Sequence, residues 1–312
     1  MNDIVDWVAT VHPAARGGAW QAIERGGSDR QFWRGTDAAS GLVAVAYGME
    51  KAENARYADC AEFLLSQGVR VPRVVAHDAS ARFLLLEDAG AEDLWAHREK
   101  SWPHRRALYA SALEQVARLH ASDLAVAAAS GVLQVPFDEN LYRWEQEYFF
   151  DHFLGARPAD LAPCEKQAEE LAARPRVLLH RDFQSQNIMV QGDEVTLIDF
   201  QGMRAGLAGY DVASLLYDPY VAMDREERNE LSNLYFQKSG RSDVEAWTEE
   251  LLGCAKQRLM QALGAYGFLG RVKGRAHFLS HIPAAAERLA SLCDIKPEWR
   301  TLGSQVRAAA SQ

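Results

Sequence analysis

The stretch 180–200 constrains this chain more than any other part of its sequence. It contains a His-Arg-Asp tripeptide that ends at Asp182, then Asn187, and then Asp199 between an isoleucine and a phenylalanine. Phosphoryl transfer needs one carboxylate that positions an attacking hydroxyl and accepts its proton, and two oxygen ligands for Mg²⁺. Asp182 suits the first role, and Asn187 with Asp199 suits the second.

The segment between the two predicted metal ligands has the pattern of a β-hairpin, because β-prone residues flank Gly192 and Asp193. If these two residues form the turn, counting outward along both strands places Asn187 opposite Ile198. Asn187 and Asp199 then emerge at the same end of the hairpin. An amide oxygen and a carboxylate oxygen in that position can share a hard cation.

The N-terminal part of the chain predicts a small α+β unit. A helical pattern covers 53–67, and β-prone runs cover 19–24, 31–35, 42–47, 73–77 and 82–86. Between the first two strands, the glycine-rich turn that contains Gly27 and Ser28 is either a plain turn or a loop whose backbone N–H groups bind nucleotide phosphates.

A polar segment follows the last of these strands and predicts a hinge. There Glu87 and Ala89 are expected to meet an adenine base through backbone groups. Beyond the hinge, apolar residues recur at helical spacing over 103–121, 137–154, 163–173, 210–217, 225–239 and 244–266. We therefore predict a nucleotide-binding lobe over 1–87 and a helical lobe for catalysis and substrate binding over 88–312.

The residues around Asp182, Asn187 and Asp199 resemble the aminoglycoside phosphotransferase-like branch of the protein-kinase-like fold, whose signature is His-x-Asp-x4-Asn followed by Ile-Asp-Phe or Ile-Asp-Trp. The resemblance implies a bilobal α+β fold with a small antiparallel-sheet N-lobe and a larger, mostly helical C-lobe. It implies that Asp182 is the catalytic base, that Asn187 and Asp199 bind Mg²⁺, and that His180 supports the loop. The donor would be ATP, or alternatively GTP.

One subgroup, the bacterial anomeric kinases for N-acetylmuramate and N-acetylglucosamine, resembles the chain nearly end to end. The similar stretches are 17–20, 71–73, 84–88, 198–201, 210–216 and 257–258. This resemblance implies transfer to the C1 hydroxyl of an amino sugar in cell-wall recycling. Two stretches limit the match to this subgroup. Met203 and Arg204 follow the Asp-Phe-Gln-Gly turn where the subgroup does not predict them, and the segment 216–219 is expected to reshape the substrate pocket.

A kinase-like N-lobe normally carries a lysine on its third strand to bind phosphates, but the run 42–47 contains none. The subgroup also tends to lack it. Lys51 and Arg34 are candidate replacements, and Asp59 and Glu62 are candidate acidic partners.

Three further residues are candidates for contact with the substrate, and a fourth for support of the loop. Arg204 and Arg258 either bind an anionic group such as a lactyl carboxylate, since guanidinium groups bind carboxylates bidentately, or form surface ion pairs. Asp218 is a candidate acceptor of hydrogen bonds from sugar hydroxyls. Asp211 is predicted to support the catalytic loop structurally.

Charge and cysteine usage narrow the class of partner. The 34 basic and 43 acidic residues include no long basic run, which argues against nucleic acid and anionic membranes as partners. No signal peptide or apolar span is indicated, and the four scattered cysteines predict reduced thiols in a cytoplasmic protein. The oligomeric state is not indicated.

Two alternatives remain open at this stage. The same scaffold can phosphorylate an aminoglycoside, choline or a homoserine-like amino alcohol. A cationic acceptor demands acidic side chains around Asp182, whereas N-acetylmuramate demands a basic one. The missing strand lysine also motivates a nucleotide-binding pseudokinase that acts as a scaffold, although Asp182, Asn187 and Asp199 are intact.

Overall fold

The computed structural model describes residues 1–24 and 29–311. Its N-terminal part is a five-stranded antiparallel sheet with the order β1-β2-β3-β5-β4. The elements of this part are α1 (Asn2–Val11), β1 (Ala19–Ile23), β2 (Gln31–Thr36), β3 (Leu42–Ala46), α2 (Tyr57–Ser66), β4 (Val74–Asp78) and β5 (Phe83–Glu87).

The two faces of this sheet pack against different helices. Because successive side chains of a strand point to opposite faces, Ala44 packs into a core with Ile4 of α1, whereas Val43 and Val45 pack into the large core that includes Tyr57 of α2. The second face is the one that turns toward the rest of the molecule. It therefore forms one wall of the space between the sheet and the helical part.

The remainder of the chain is mostly helical. Short strands lie among the helices and carry the loops of the candidate site. The elements are β6 (Glu92–Asp93), α3 (Trp102–His120), α4 (Leu124–Ala129), α5 (Glu139–Phe149), α6 (Ala162–Ala172), β7 (Val177–Leu179), β8 (Ile188–Gln191), β9 (Glu194–Leu197), β10 (Arg204–Gly206), α7 (Ala208–Leu216), α8 (Arg225–Lys238), α9 (Val244–Gly267), α10 (Ile282–Cys293) and α11 (Arg300–Ala310).

Helix α9 is the centre of the helical part, and it packs against α5, α7 and α10. Its buried residues include Trp247, Leu259 and Leu263, and all nine residues of α7 are buried as well. A helix that is buried around most of its circumference belongs to the interior of a large core. Within the described residues, no helix is both long enough and apolar enough to cross a bilayer.

The predicted sequence of a strand-rich unit followed by helices is confirmed, with element ends shifted by one or two residues. The structure also contains elements that were not predicted. The predicted helix over 53–67 begins as a 3-10 turn (Ala52–Arg56) before α2. The helices α1, α4, α10 and α11 and the short strands β6, β7 and β10 were not predicted. The division at 87/88 stays a prediction.

The hairpin prediction is confirmed in its register. Gln191 pairs with Glu194, and Ile188 pairs with Leu197. Asn187 and Ile198, the next pair outward, are joined by a hydrogen bond from the Ile198 N–H to the Asn187 carbonyl oxygen, at 3.0 Å. The turn needs a positive φ of 63° at Gly192, which glycine adopts without a steric penalty.

Two glycines of α9 provide a matched test of the core packing. A Cβ at Gly267 would collide with the backbone carbonyl of His152, whereas a Cβ at Gly253 would meet only the Leu171 side chain, at 3.2 Å. We expect Gly267→Ala to lower the free energy of unfolding by about 1 to 3 kcal/mol. Gly253→Ala should leave it unchanged or raise it by up to about 1 kcal/mol. Denaturant unfolding of both variants measures the difference, and equal effects would contradict the described packing.

Candidate active site

A buried carboxylate holds the start of the loop that contains Asp182. Asp211, in the first turn of α7, is fully buried. Its Oδ2 accepts a hydrogen bond from the His180 N–H at 2.7 Å, and its Oδ1 accepts one from the Arg181 N–H at 2.9 Å. Arg181 has φ of 80°, a left-handed conformation that is costly for a residue with a side chain. The two bonds stabilise this turn directly before Asp182.

Two histidines complete the support of the loop. His120 on α3 places Nε2 at 3.1 Å from the Asp211 Oδ2 and Nδ1 at 2.7 Å from the Tyr235 hydroxyl. A tautomer with the proton on Nε2 satisfies both contacts. The His180 ring is fully buried against Phe183, and neither ring nitrogen has a hydrogen-bond partner within 1–24 and 29–311. His180 thus lies inside the loop, where a supporting residue is expected.

The Asn187 side chain is tied to the same loop. Its Nδ2 donates a hydrogen bond to the Asp182 carbonyl oxygen at 2.9 Å. This bond sets the orientation of the amide and leaves Oδ1 as the side-chain atom that is not committed to it. Across the hairpin, Asp199 follows Ile198 with φ of 63°. The structure therefore brings Asn187 and Asp199 to the same end of the hairpin, beside Asp182.

The Asp199 carboxylate has two close donors. Its Oδ1 accepts hydrogen bonds from Arg30 Nη2 at 2.6 Å and from Gln201 Nε2 at 2.9 Å. Burial by itself raises the pKa of this carboxyl, but the Arg30 charge and the two hydrogen bonds outweigh burial and hold the pKa below its usual range. Asp199 is therefore ionised at neutral pH.

The donor chemistry of this pair fits Mg²⁺. Asn187 offers an amide oxygen and Asp199 an ionised carboxylate, both hard ligands of the kind that Mg²⁺ prefers. Mg²⁺ at a nucleotide is usually bound by one or two protein groups plus phosphates and water. No cluster of three histidine, cysteine, aspartate or glutamate side chains suited to a metal occurs in the described residues. Two protein ligands therefore match a nucleotide-associated ion better than a permanent structural metal.

Asp218 lies in a different environment from the predicted sugar contact. Its side chain is 2 % exposed. Its Oδ2 accepts hydrogen bonds from the Ser185 N–H and hydroxyl, and its Oδ1 accepts one from the Tyr220 N–H at 3.0 Å. The carboxylate therefore ties the end of the catalytic loop to the segment after α7. This geometry favours structural support over the predicted hydrogen bonds to sugar hydroxyls.

Three half-buried arginines interact electrostatically with Asp182. Arg181 Nη1 lies 3.4 Å from the Asp182 carboxylate, which raises the pKa of Arg181. Burial and the charge of Arg181 lower the pKa of Arg204, whose guanidinium lies 5.3 Å from the Phe137 ring centroid. Burial also opposes the charge of Arg258, but Tyr210 and Asp182 outweigh it and raise the pKa of Arg258. Arg204 and Arg258 are thus partly buried and interact with the Asp182 charge.

On the nucleotide side, Arg34 is committed to the hinge. Its guanidinium donates to both oxygens of Asp88, at 2.6 and 3.1 Å, and to the Gly90 carbonyl oxygen at 2.6 Å. The Glu87 N–H donates to the Arg73 carbonyl oxygen at 3.0 Å. The Ala89 N–H has no hydrogen-bond partner in the part of the chain that is described, so it is available to a ligand.

The sequence offered two expectations about phosphate binding: the glycine-rich segment, and a replacement for the strand lysine. Gly27 and Ser28 of the glycine-rich segment lie outside the described residues. Lys51 and Glu62 are exposed, and Arg34 is bound to the hinge, so the cation beside Asp199 is instead Arg30. The sequence reasoning missed Arg30 as a site residue, although its place in the sequence, shortly after two consecutive glycines and just before β2, is the available signal.

The fold around this site is that of kinases that act on small molecules. The ternary complex of APH(2'')-IIa with streptomycin and ATP has a TM-score of 0.58 and 13% identity, covering 84% of this chain and 90% of that chain. A choline/ethanolamine kinase family protein from Mesorhizobium loti has a TM-score of 0.60 and 17% identity, covering 98% and 99%. The predicted bilobal protein-kinase-like fold is confirmed.

The chain belongs to the phosphotransferase enzyme family, whose model matches residues 19–250. It is 25% identical over 290 residues to the N-acetylmuramate/N-acetylglucosamine kinase of Pseudomonas aeruginosa. The matched region covers 87% of this chain and 82% of that protein. It is 23% identical over 308 residues to the enzyme of the same name from Pseudomonas putida, covering 93% and 88%. The resemblance to these kinases is therefore confirmed.

The support of the loop by Asp211 can be tested by hydrogen exchange. Asp211→Ala leaves the amides of His180 and Arg181 without their acceptor, at a cost of about 1 to 3 kcal/mol for each. We expect exchange at these two amides to accelerate by about tenfold or more, since 1.4 kcal/mol corresponds to a tenfold change in an equilibrium constant. Residue-resolved exchange by mass spectrometry or NMR measures this effect.

Asp138→Ala is the matched control. Asp138 caps α5 by accepting a hydrogen bond from the Leu141 N–H at 2.8 Å. Its loss costs about 1 kcal/mol without touching the loop. Exchange at His180 and Arg181 that changes equally in both variants would contradict a specific support by Asp211.

Proposed function

We propose that this protein transfers the γ-phosphoryl group of ATP to the anomeric hydroxyl of N-acetylmuramate or N-acetylglucosamine. The observation that carries the proposal is the convergence of Asp182, Asn187 and Asp199 at one end of the β8–β9 hairpin. The two Pseudomonas relatives, which match most of the chain, support the choice of acceptor. The product would be a sugar 1-phosphate, as expected of a step in cell-wall sugar recycling.

In the proposed reaction, Asp182 orients the acceptor hydroxyl and takes its proton. A bond forms between the acceptor oxygen and the γ-phosphorus, the bond from that phosphorus to the β-bridging oxygen breaks, and ADP leaves. Mg²⁺ held by Asn187 and Asp199 would neutralise the negative charge of the phosphates. The bond from Asn187 to the Asp182 carbonyl oxygen couples the base to the metal ligands, so the three groups are positioned together.

Adenine recognition is assigned to the hinge. The bidentate bond between Arg34 and Asp88 and the bond to the Gly90 carbonyl oxygen give this segment a defined shape. Within it, the free Ala89 N–H is a donor for a ring nitrogen of the base, with Glu87 beside it. Since these are backbone contacts, GTP remains the alternative donor.

Two arginines near Asp182 favour an anionic acceptor over a cationic one. Arg181 is paired with the Asp182 carboxylate at 3.4 Å, whereas Arg204 and Arg258 interact with the Asp182 charge over a longer range. The nearby Glu145 is buried and accepts hydrogen bonds from Tyr210 at 2.7 Å and from Gln257 at 2.9 Å. The guanidinium groups of Arg204 and Arg258 suit the lactyl carboxylate of N-acetylmuramate better than the amino groups of aminoglycosides or the cation of choline.

The cysteines support a reducing compartment for the reaction. All four described cysteines, Cys60, Cys164, Cys254 and Cys293, are free and buried. Burial raises the pKa of Cys60 to about 12, which keeps its thiol protonated and unreactive. Buried thiols without disulfides are typical of cytoplasmic proteins, and we place the enzyme there.

The first test of the proposal is Asp182→Asn. We expect phosphoryl transfer to N-acetylmuramate and N-acetylglucosamine to fall by about 100-fold or more, because the base is lost, while the affinity for ATP stays within about twofold. Coupled ADP release measures the rate, and product NMR locates the phosphate at C1. Asp193→Asn, at the exposed hairpin turn, is the control and should retain wild-type turnover.

The same measurement separates the alternatives. The pseudokinase scaffold is supported if wild-type protein binds ATP but transfers phosphate to none of the amino sugars, aminoglycosides, choline or homoserine. Transfer that prefers a cationic acceptor would contradict the assignment of an anionic sugar.

The second test concerns acceptor charge. Arg204→Met keeps the bulk of the side chain and removes its charge. If Arg204 binds the lactyl carboxylate, kcat/KM for N-acetylmuramate should fall about tenfold or more relative to that for N-acetylglucosamine, since a hydrogen bond to a charged group contributes about 1.5 to 3 kcal/mol. Arg106→Met, which removes an exposed partner of Glu230, should leave this ratio unchanged. An unchanged ratio in Arg204→Met would exclude the contact.

A further inference from the structure

The third strand of the N-terminal sheet has no cation on the face that points toward the active site. On β3, Val43 and Val45 pack into the core with α2, whereas Ala44 packs toward α1. The positions where a phosphate-binding lysine can reach the nucleotide are therefore apolar. A family that neutralises nucleotide phosphates from this lobe needs a positive charge in the same place.

Arg30 supplies a positive charge at this place from the neighbouring strand. It directly precedes β2, in which Phe32 pairs with Val45. Its guanidinium lies 5.7 Å from the centroid of the Phe32 ring. Arg30 and Val45 line the same small cavity, together with Tyr57 of α2. The cation therefore lies beside the apolar residues of β3 rather than on β3 itself.

Contact with the opposite lobe places this cation at the metal-binding end of the hairpin. Arg30 Nη2 lies 2.6 Å from Asp199 Oδ1, and the Arg30 side chain is only 14% exposed. Phosphates that approach Asp199 necessarily come within reach of the guanidinium. Its planar group of N–H donors matches the oxygens of a phosphate better than a single ammonium does.

Asp29, directly before Arg30, is held in place by two hydrogen bonds of its side chain, which restricts where Arg30 can lie. The Asp29 Oδ1 accepts a hydrogen bond from Asn54 Nδ2 at 2.9 Å, and the Asp29 Oδ2 accepts one from the Glu50 N–H at 3.1 Å. Asn54 is 2% exposed and also donates to the Gly48 carbonyl oxygen at 3.1 Å. These bonds join the start of β2 to the connection between β3 and α2.

We propose that Arg30 binds the α- and β-phosphates of the nucleotide and takes the role of the strand lysine that this chain lacks. The proposal rests on the proposed kinase function and assigns a residue to its donor site. Lys51 is exposed and Arg34 is bound to the hinge, so neither competes for this role. Arg30 is a binding and positioning residue, since it contacts the donor phosphates and not the acceptor.

The test compares ligands with and without phosphates in the absence of turnover. Calorimetry or ligand-detected NMR measures the dissociation constants of ATP, ADP and adenosine, without acceptor sugar. In Arg30→Met we expect the constants for ATP and ADP to rise by about 10- to 100-fold, while that for adenosine stays within about twofold. Arg30→Lys should recover part of the loss, because it restores the charge without the fork of donors.

Two variants serve as controls. Lys51→Met should leave all three constants within about twofold of wild type. Arg34→Met should weaken ATP, ADP and adenosine by the same factor, because it disturbs the hinge and not the phosphates. Unchanged adenosine binding in Arg30→Met also shows that the variant is folded. Should Arg30→Met be unfolded, Arg30→Lys and Arg30→Gln are measured in the same way.

The outcomes separate this proposal from the proposed function. Equal loss of ATP and adenosine affinity in Arg30→Met, or no loss, overturns the role of Arg30 whatever the acceptor is. Selective loss of ATP and ADP affinity with no phosphate transfer to any sugar supports Arg30 and overturns the sugar kinase. If wild-type protein binds neither adenine nor guanine nucleotides, both proposals are overturned.

Discussion

The buried Asp211 carboxylate is the interaction on which the active site depends. Three donors converge on it: the backbone amides of His180 and Arg181, and the His120 ring. A carboxylate without these bonds is costly in a fully buried position, and the amides are equally costly without the carboxylate. The network therefore forms as a unit. Because Asp182 follows Arg181 directly, the same network determines where the proposed base points.

The other end of the loop is held in a similar way from a different direction. Asp218 binds Ser185, and Arg288 on α10 donates to the carbonyl oxygens of Asp218 and Val221. Burial raises the pKa of Asp218, and the hydrogen bonds from Ser185 and Tyr220 act against that increase. Two buried aspartates thus hold the loop that contains Asp182, and helices far apart in the sequence contribute to both anchors.

The N-terminal sheet and the helical part meet at the end of the β8–β9 hairpin that is next to Asp199. Arg30 reaches Asp199 from the sheet, and Tyr57 of α2 packs on Phe200 with ring centroids 4.7 Å apart. Residues directly next to each other in the Ile-Asp-Phe motif therefore contact the N-terminal lobe through charge and through apolar packing. Both contacts fix the position of the N-terminal sheet and α2 relative to the loop that contains Asp182.

Local rules predicted the hairpin register and the five strands of the N-terminal sheet correctly, because turn residues and apolar spacing act over a few neighbouring residues. The shared position of Asn187 and Asp199 followed from the hairpin for the same reason. Helices α1, α10 and α11 were missed, and none of them has a side-chain cap at its N-terminus. The environments of Arg34 and Asp218 were also missed, because their partners lie 54 and 33 residues away in the chain.

The sequence by itself determined the kind of chemistry: a carboxylate at Asp182, followed by an amide and a second carboxylate that a hairpin brings together. Only the tertiary structure decided which cation meets Asp199, which aspartate supports the loop and which arginines surround Asp182. Each of these depends on the packing of distant segments, and an ion pair such as that between Arg30 and Asp199, 169 residues apart, leaves no periodic pattern in the chain.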